Sequence, residues 1–153
     1  MNLVLDINNV DIINVSFLEK KDNTIVEGIF SKIIYTDEFI TLNGIFIDFP
    51  LEFIPMDKMI NKNYLFFTLQ SNYNIISKIQ ELETKLINCY NIEKNICKKN
   101  VFNLYNQLIS GKIKIYNNTY NSKSNHIVLK ISGLWETTNE IGITYKFILM
   151  NSV

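Results

Sequence analysis

The hydrophobic period changes part-way along this chain, and that change restricts its possible folds more than any other feature. Before about residue 70 the apolar residues form short runs of strand length. From Ile75 they recur at three- and four-residue steps, and from His126 an alternating pattern sets in. A helical block set between two groups of strands follows from this pattern.

In the first group, Leu3–Ile7 and Asp11–Leu18 read as short strands around Asn8-Asn9. Thr24–Tyr35 is β-branched and aromatic and breaks at Thr36-Asp37-Glu38. Phe39–Leu42, Asn43-Gly44 and Ile45–Asp48 read as a tight hairpin, because an Asn-Gly pair between apolar runs suits a type I′ turn with positive φ at both central residues. Pro50 and Pro55 then end the ribbon, since proline cannot donate to a ladder, and Tyr64–Gln70 forms one more strand.

In the helical block, Ile75, Ile79, Leu82, Leu86 and Tyr90 make one apolar face, Glu81 and Lys85 form an exposed i,i+4 pair, and Ser71 or Asn72 caps the start. A second helix is expected over Glu93–Ser110, with Cys97, Val101, Leu104 and Leu108 on one face and Gly111 at its C′ position. Ile113–Tyr116 is a further strand and Asn117–Asn125 a polar loop. The chain closes on a long hairpin, His126–Trp135 and Ile141–Met150 around a turn at Glu136–Glu140. Ile127, Leu129 and Ile131 alternate on one arm, and Ile141, Ile143, Tyr145 and Phe147 on the other. Gly133 and Gly142 inside these arms suggest bulges or bends.

The sum is a β-rich α+β fold: a small β-barrel of about seven or eight strands carrying a two-helix insertion at about 72–111, whose commonest relative is the oligonucleotide-binding (OB) barrel. The 153 residues suit a single domain spanning 1–153, since typical domains run to roughly 100–150 residues. An apolar fraction of 47% is ample for a core. No stretch approaches the roughly 20 apolar residues of a membrane span. The start of the chain lacks a basic n-region, and Asp6 and Asp11 interrupt any apolar core, so no signal peptide is expected and the location is intracellular. Cys89 and Cys97 read as reduced, partly buried helix residues.

Isoleucine occurs 26 times and asparagine 22 times, while arginine and alanine are absent. These are the residues of AT-rich codons, and the bias fits a large DNA virus (with the host cytoplasm or nucleus as its location), a cytoplasmic plasmid, a protist or an endosymbiont. Many of the asparagines are then surface fill.

Net charge is zero but unevenly spread: residues 1–57 carry three lysines against ten acids, and residues 58–135 eleven against three. No acid lies between Glu93 and Glu136, whereas Lys94, Lys98, Lys99, Lys112, Lys114, Lys123 and Lys130 do. Such segregation lets a neutral protein present one basic face.

Several chemistries lack their residues. A single histidine, His126, stands at a strand end, four-ligand zinc sites have too few His and Cys, and five glycines include no phosphate-loop pattern. The triplets Glu19-Lys20-Lys21 and Glu83-Thr84-Lys85, with Asp6, Asp11 or Asp57 upstream, are the remnant of a metal-dependent nuclease pattern, which needs clustered carboxylates. No enzyme and no cofactor is indicated.

Binding an unpaired nucleic-acid strand needs cations along its backbone and aromatic faces for its bases. The acid-free stretch supplies both. Lys112, Lys114 and Tyr116 share a strand face, Tyr116 and Tyr120 flank a polar loop with Lys123, and Trp135 is the only tryptophan. Lys130 and Lys146 on the hairpin arms extend that face, Lys98 and Lys99 face solvent, and Phe102 and Tyr105 neighbour the apolar helix face. Lysine neutralises phosphate without arginine's bidentate base-edge geometry, so its exclusive use points to sequence-independent binding.

The run Val128-Leu129-Lys130-Ile131-Ser132-Gly133-Leu134-Trp135-Glu136, followed by Ile141-Gly142-Ile143-Thr144-Tyr145-Lys146-Phe147, resembles the terminal hairpin of the phage-type OB-fold single-stranded DNA-binding proteins of large DNA viruses. The order of barrel strands, inserted helix and hairpin is similar too. The resemblance implies a replication or recombination protein that coats exposed strands of DNA, or of RNA, with Trp135, Tyr145, Lys130 and Lys146 at the matching positions. Such proteins often end in an acidic tail that recruits replication partners. This chain stops at Met150-Asn151-Ser152-Val153, so its acidic N-terminal half is the expected surface for replication proteins or for a second copy. The alternatives are a protein–protein or assembly module, possible through head-to-tail pairing of the charge halves into a homo-oligomer, and the nuclease. No membrane partner is expected.

Overall fold

A computed structural model describes residues 3–22, 28–54, 64–115 and 125–151. In chain order its strands are β1 (Val15–Phe17), β2 (Lys21–Asp22), β3 (Ile29–Thr36), β4 (Thr41–Leu42), β5 (Ile45–Asp48), β6 (Tyr64–Phe66), β7 (Lys99–Asn100), β8 (Lys112–Lys114), β9 (Asn125–Glu136) and β10 (Glu140–Asn151). The helices are α1 (Tyr73–Lys94) and α2 (Asn103–Ile109), and two 3-10 turns cover Ile7–Asn9 and Ile12–Asn14. The architecture is β-rich with two helices and a strongly curled half-barrel sheet of mixed strands.

The expected C-terminal hairpin forms and organises the large sheet. β9 pairs along its whole length with β10, and its other edge pairs with β5 over Val128–Ile131 and with β3 over Gly133–Glu136. The register slips between Thr144 and Tyr145, which face Gly133 and Ile131, leaving Ser132 as the extra residue. Ser132 is also where the partner on the opposite edge changes from β5 to β3. A bulge bends its strand and raises the local twist, and so helps to curl the sheet. It also switches the parity of the buried positions on β9, from Ile127, Leu129 and Ile131 to Leu134 and Glu136. A small second sheet, β6–β8, reaches the rest through single bridges, Phe53–Phe67 and Ile115–Phe147.

The core side of the large sheet packs on the helices in one contiguous apolar cluster. On α1, Ile76, Ile79, Leu82, Leu86, Ile87 and Tyr90 are buried, close to the expected face, while Glu81 and Lys85 are exposed. Each fully buried aliphatic side chain contributes about 2 kcal/mol. Asn72 precedes the helix without a side-chain cap bond. Its amide instead holds both the N–H and the carbonyl of Glu52, tying the segment after β5 to the helix start.

Three local expectations are corrected. Asn43-Gly44 is a corner rather than a hairpin turn: only Gly44 has positive φ (108°), and the flanking strands part, β4 to β3 and β5 to β9. The second helix does not begin at Glu93, because Asn95 takes the left-handed conformation (φ 52°) and ends α1 there. Val101 lies outside helix, and Cys97 is exposed outside helix, while Cys89 is half-buried on α1. Finally, Leu3–Ile7 reduces to one parallel bridge, Leu5–Ile47. The carboxylates of Asp6 and Asp11 accept from Asn8 and Ile13 two residues on, a local bond that competes with a strand ladder.

The start of α2 is built by a distant residue. Glu83, fully buried on α1, accepts from the backbone N–H groups of Leu104 (2.9 Å) and Tyr105 (3.0 Å). Burial pushes its carboxyl up, and the two N–H bonds pull part of that rise back. A carboxylate here satisfies two of the donors a helix start leaves open. Glu83→Ala is therefore expected to cost about 3 kcal/mol in urea unfolding, the range of hydrogen bonds to charged groups, with Glu83→Gln losing less.

Candidate functional site

On the outer side of the large sheet, alternation brings Phe30 and Lys32 of β3, Phe46 of β5, Lys130 and Trp135 of β9, and Lys146 of β10 to one face. Lys130 and Lys146 are direct register partners, and Lys32 sits opposite Gly133 in the same neighbourhood. Burial lowers the Lys130 ammonium, and the positive charges of Lys146 and Lys32 lower it further. Its Nζ lies 5.3 Å from the centroid of the Phe46 ring. Among the described residues no carboxylate pairs with Lys32, Lys130 or Lys146. The result is a patch of like charge that no described carboxylate compensates.

The aromatic rings beside this patch rest on glycine. A Cβ at Gly133 would come within 2.7 Å of the Phe30 ring, and one at Gly142 within 2.5 Å of the Trp135 ring. Gly142 is the register partner of Trp135, and the absence of a side chain lets the indole cover β10. The Trp135 Nε1–H donates to the Ile143 carbonyl at 3.1 Å, which fixes the ring's orientation. Half-buried Trp135 thus forms a held platform rather than a plug of the core.

At the rim of that platform the outer edge of β10 has no strand partner between Ile141 and Phe147 among the described residues. β7 covers Glu140 and Ile141, and Ile115 bridges Phe147. The gap between them opens into a pocket of about 370 Å³ whose lining includes Tyr64, Asn103, Gln107, Lys114, Trp135, Tyr145 and Lys146. Four residues expected to act together (Lys114, Trp135, Tyr145 and Lys146) therefore converge here. Lys112 is exposed one strand away, with its Nζ 5.4 Å from the Tyr64 ring centroid. Tyr145 is a wall rather than a stacking face: it packs edge-on against Phe147, and its hydroxyl hydrogen-bonds Gln107 Oε1.

Other expected residues lie elsewhere. Lys99 is exposed on β7. Lys98 is spent on a buried carboxylate: its Nζ reaches Glu136 Oε1 at 3.0 Å and the Thr137 carbonyl at 2.8 Å. Glu136, only 2% exposed, also accepts from Tyr90 Oη (2.6 Å) and pairs with Lys20 (3.2 Å), while Ser31 Oγ reaches the same phenol. Burial alone would raise the Glu136 carboxyl. The hydrogen bonds from Tyr90, Lys98 and Lys20 outweigh it and hold the group below the usual carboxylate range. Burial and the adjacent carboxylate push the Tyr90 phenol up. Phe102 and Tyr105 pack against the core. Tyr116, Tyr120 and Lys123 lie outside the described residues.

The triplet carboxylates stand apart from one another in role. Glu83 caps α2, Glu19 is exposed, and Asp6 and Asp11 cap their own turns, while Asp57 lies outside the described residues. Among the described residues no three His, Cys, Asp or Glu side chains gather as a metal site would require. A separate cleft of about 470 Å³ lies between the N-terminal turns and α1, lined by Asp11 on the turn side and by Lys78, Glu81 and Lys85 on the helix side.

Lys32, Phe30, Tyr64, Asn103 and Gln107 escaped the sequence reading. Phe30-Ser31-Lys32 alternates on one strand, a usable signal obscured by its place in the acidic half. Asn103 is one of 22 asparagines and carries no local signal. No protein-family model, curated protein or solved structure matches this chain at a significant level.

Two expectations follow. Gly142→Ala drives a Cβ into the indole, so the emission of the single tryptophan should move to longer wavelength; an unchanged spectrum would mean that the ring does not rest on Gly142. The depressed Glu136 carboxyl stabilises the fold above its unfolded pKa of about 4.3, and that contribution is lost as pH falls through the lower folded value. Glu136→Gln should therefore melt below the native protein at pH 7, with the difference shrinking below about pH 4.

Proposed function

We propose that this protein is a non-enzymatic binder of single-stranded nucleic acid, coating exposed strands in replication or recombination through an OB-like barrel. The observation that carries the reading is the Lys32–Lys130–Lys146 patch, which no described carboxylate compensates, lying on the same sheet face as the glycine-supported Trp135 platform. Mutual repulsion among three ammonium groups is relieved by a polyanion, and the indole face supplies the sequence-tolerant stacking that unpaired bases need, worth about 1–3 kcal/mol per base. The bridges from the β6–β8 pair to β10 and to the segment after β5 support the barrel reading. The resemblance of the terminal hairpin to single-stranded DNA-binding proteins points the same way.

A second reading is a protein–protein module. It is favoured by large apolar side chains standing in solvent, with Phe39 88%, Ile13 85% and Ile92 81% exposed. The two readings separate in one titration. Fluorescence anisotropy of a labelled oligo-dT strand is expected to show binding without added metal that weakens steeply with salt. Lys130→Gln/Lys146→Gln should reduce the slope of log K against log salt by about 1.4, at about 0.7 per phosphate contact on a single strand. Absence of binding at low salt would sink the nucleic-acid reading, and sedimentation of the protein with itself would then test the module.

A further inference from the structure

We propose that the pocket beside β10 receives one nucleobase of the bound strand and favours bases carrying an exocyclic amino group, with Asn103 as the residue that reads it. The inference rests on the strand-binding reading above and adds a base preference to it.

The pocket's volume of about 370 Å³ falls in the range of small-molecule sites, about 300–1,000 Å³. Trp135 and Tyr64 give it aromatic walls, and Lys146 belongs both to its lining and to the basic patch, so a strand tracking the patch passes the opening. Two of its walls are held by one backbone atom. The Ile143 carbonyl accepts from Trp135 Nε1 at 3.1 Å and from Asn103 Nδ2 at 3.2 Å. Pinning Nδ2 leaves Asn103 Oδ1 as a buried acceptor with no hydrogen-bond partner among the described residues. An orphaned buried acceptor costs about 1–3 kcal/mol, and native proteins retain few of them. A ligand donor would remove that cost on binding.

The donor that fits is one that projects from the edge of its ring. The amino groups of cytosine and adenine do so. In uracil and thymine, position 4 carries a carbonyl oxygen, which would meet Asn103 Oδ1 lone pair to lone pair, and the N3–H is recessed between two such oxygens. Gln107, whose Oε1 is engaged by Tyr145, keeps Nε2 as a donor for the ring nitrogen or carbonyl next to that amino group.

Cytosine and uracil differ in just this respect, so competition between oligo-dC and oligo-dU strands of equal length tests the inference. The expected result is about tenfold tighter binding of oligo-dC, in the range of one base-edge contact, falling to near parity in Asn103→Leu. Replacing the bases by N4,N4-dimethylcytosine, which keeps the ring and loses the donor, should bring the same loss on the native protein; this holds the test open if the variant does not fold. Equal binding of oligo-dC and oligo-dU, or a preference that survives Asn103→Leu, overturns the inference while leaving strand binding intact. Failure of both strands to bind at low salt overturns strand binding and the inference together.

Discussion

Pairing on both edges of β9 is the constraint from which most of the molecule takes its position. One edge lies along β10 and the other is shared between β5 and β3, so segments distant in sequence are placed by hydrogen bonds to a single strand. The bulge at Ser132 sits at the point of exchange. A straight strand would carry both partners on one plane, whereas the bulged one turns between them, and the sheet curls. The helices then fill the core side, and the outer side is left for solvent or a ligand.

At the turn end of the same strand, Glu136 works as a buried tie. Its carboxylate receives Tyr90 from the end of α1, Lys98 from the link between α1 and β7, and Lys20 from the N-terminal arm. A charge removed from water costs several kcal/mol unless it is fully bonded, and here bonds come from three separate segments. That demand explains why Lys98, exposed in any simple reading of a basic stretch, is withdrawn from the basic face.

The outer side owes its character to what it omits. Gly133 and Gly142 remove side chains where Phe30 and Trp135 must lie flat, and no described acid offsets Lys32, Lys130 and Lys146. The division of charge along the chain does not survive folding as two separate faces. β3, from the acidic half, lies against β9 and contributes Lys32 to the basic patch. The proposed strand-binding face is thus assembled from both halves.

Period and turn chemistry made much of the fold legible. The alternation over 126–150 marked the hairpin, the three- and four-residue steps marked α1, and Lys130 and Lys146 were recognisable as facing arms. Local patterns carry such information because neighbours in sequence share a face through backbone geometry alone. Leu3–Ile7 was misread because local aspartate bonds compete with a ladder, and two other segments because a non-local partner outweighed a local preference. Asn43-Gly44 suits a hairpin, but β5 pairs with β9 instead. The apolar spacing through Cys97 and Val101 suits a helix, but Asn95 closes α1 and the following residues join β10 as β7. The pocket was the least legible part, because Asn103, Tyr64 and Trp135 meet only once three elements pack together. For α1 and the terminal hairpin, element type was therefore decided by the sequence itself, through period. Strand partners, the parity switch that turns Trp135 outward, and the company each lysine keeps were decided by tertiary structure, since a register slip or a buried carboxylate acts between residues that no local pattern connects.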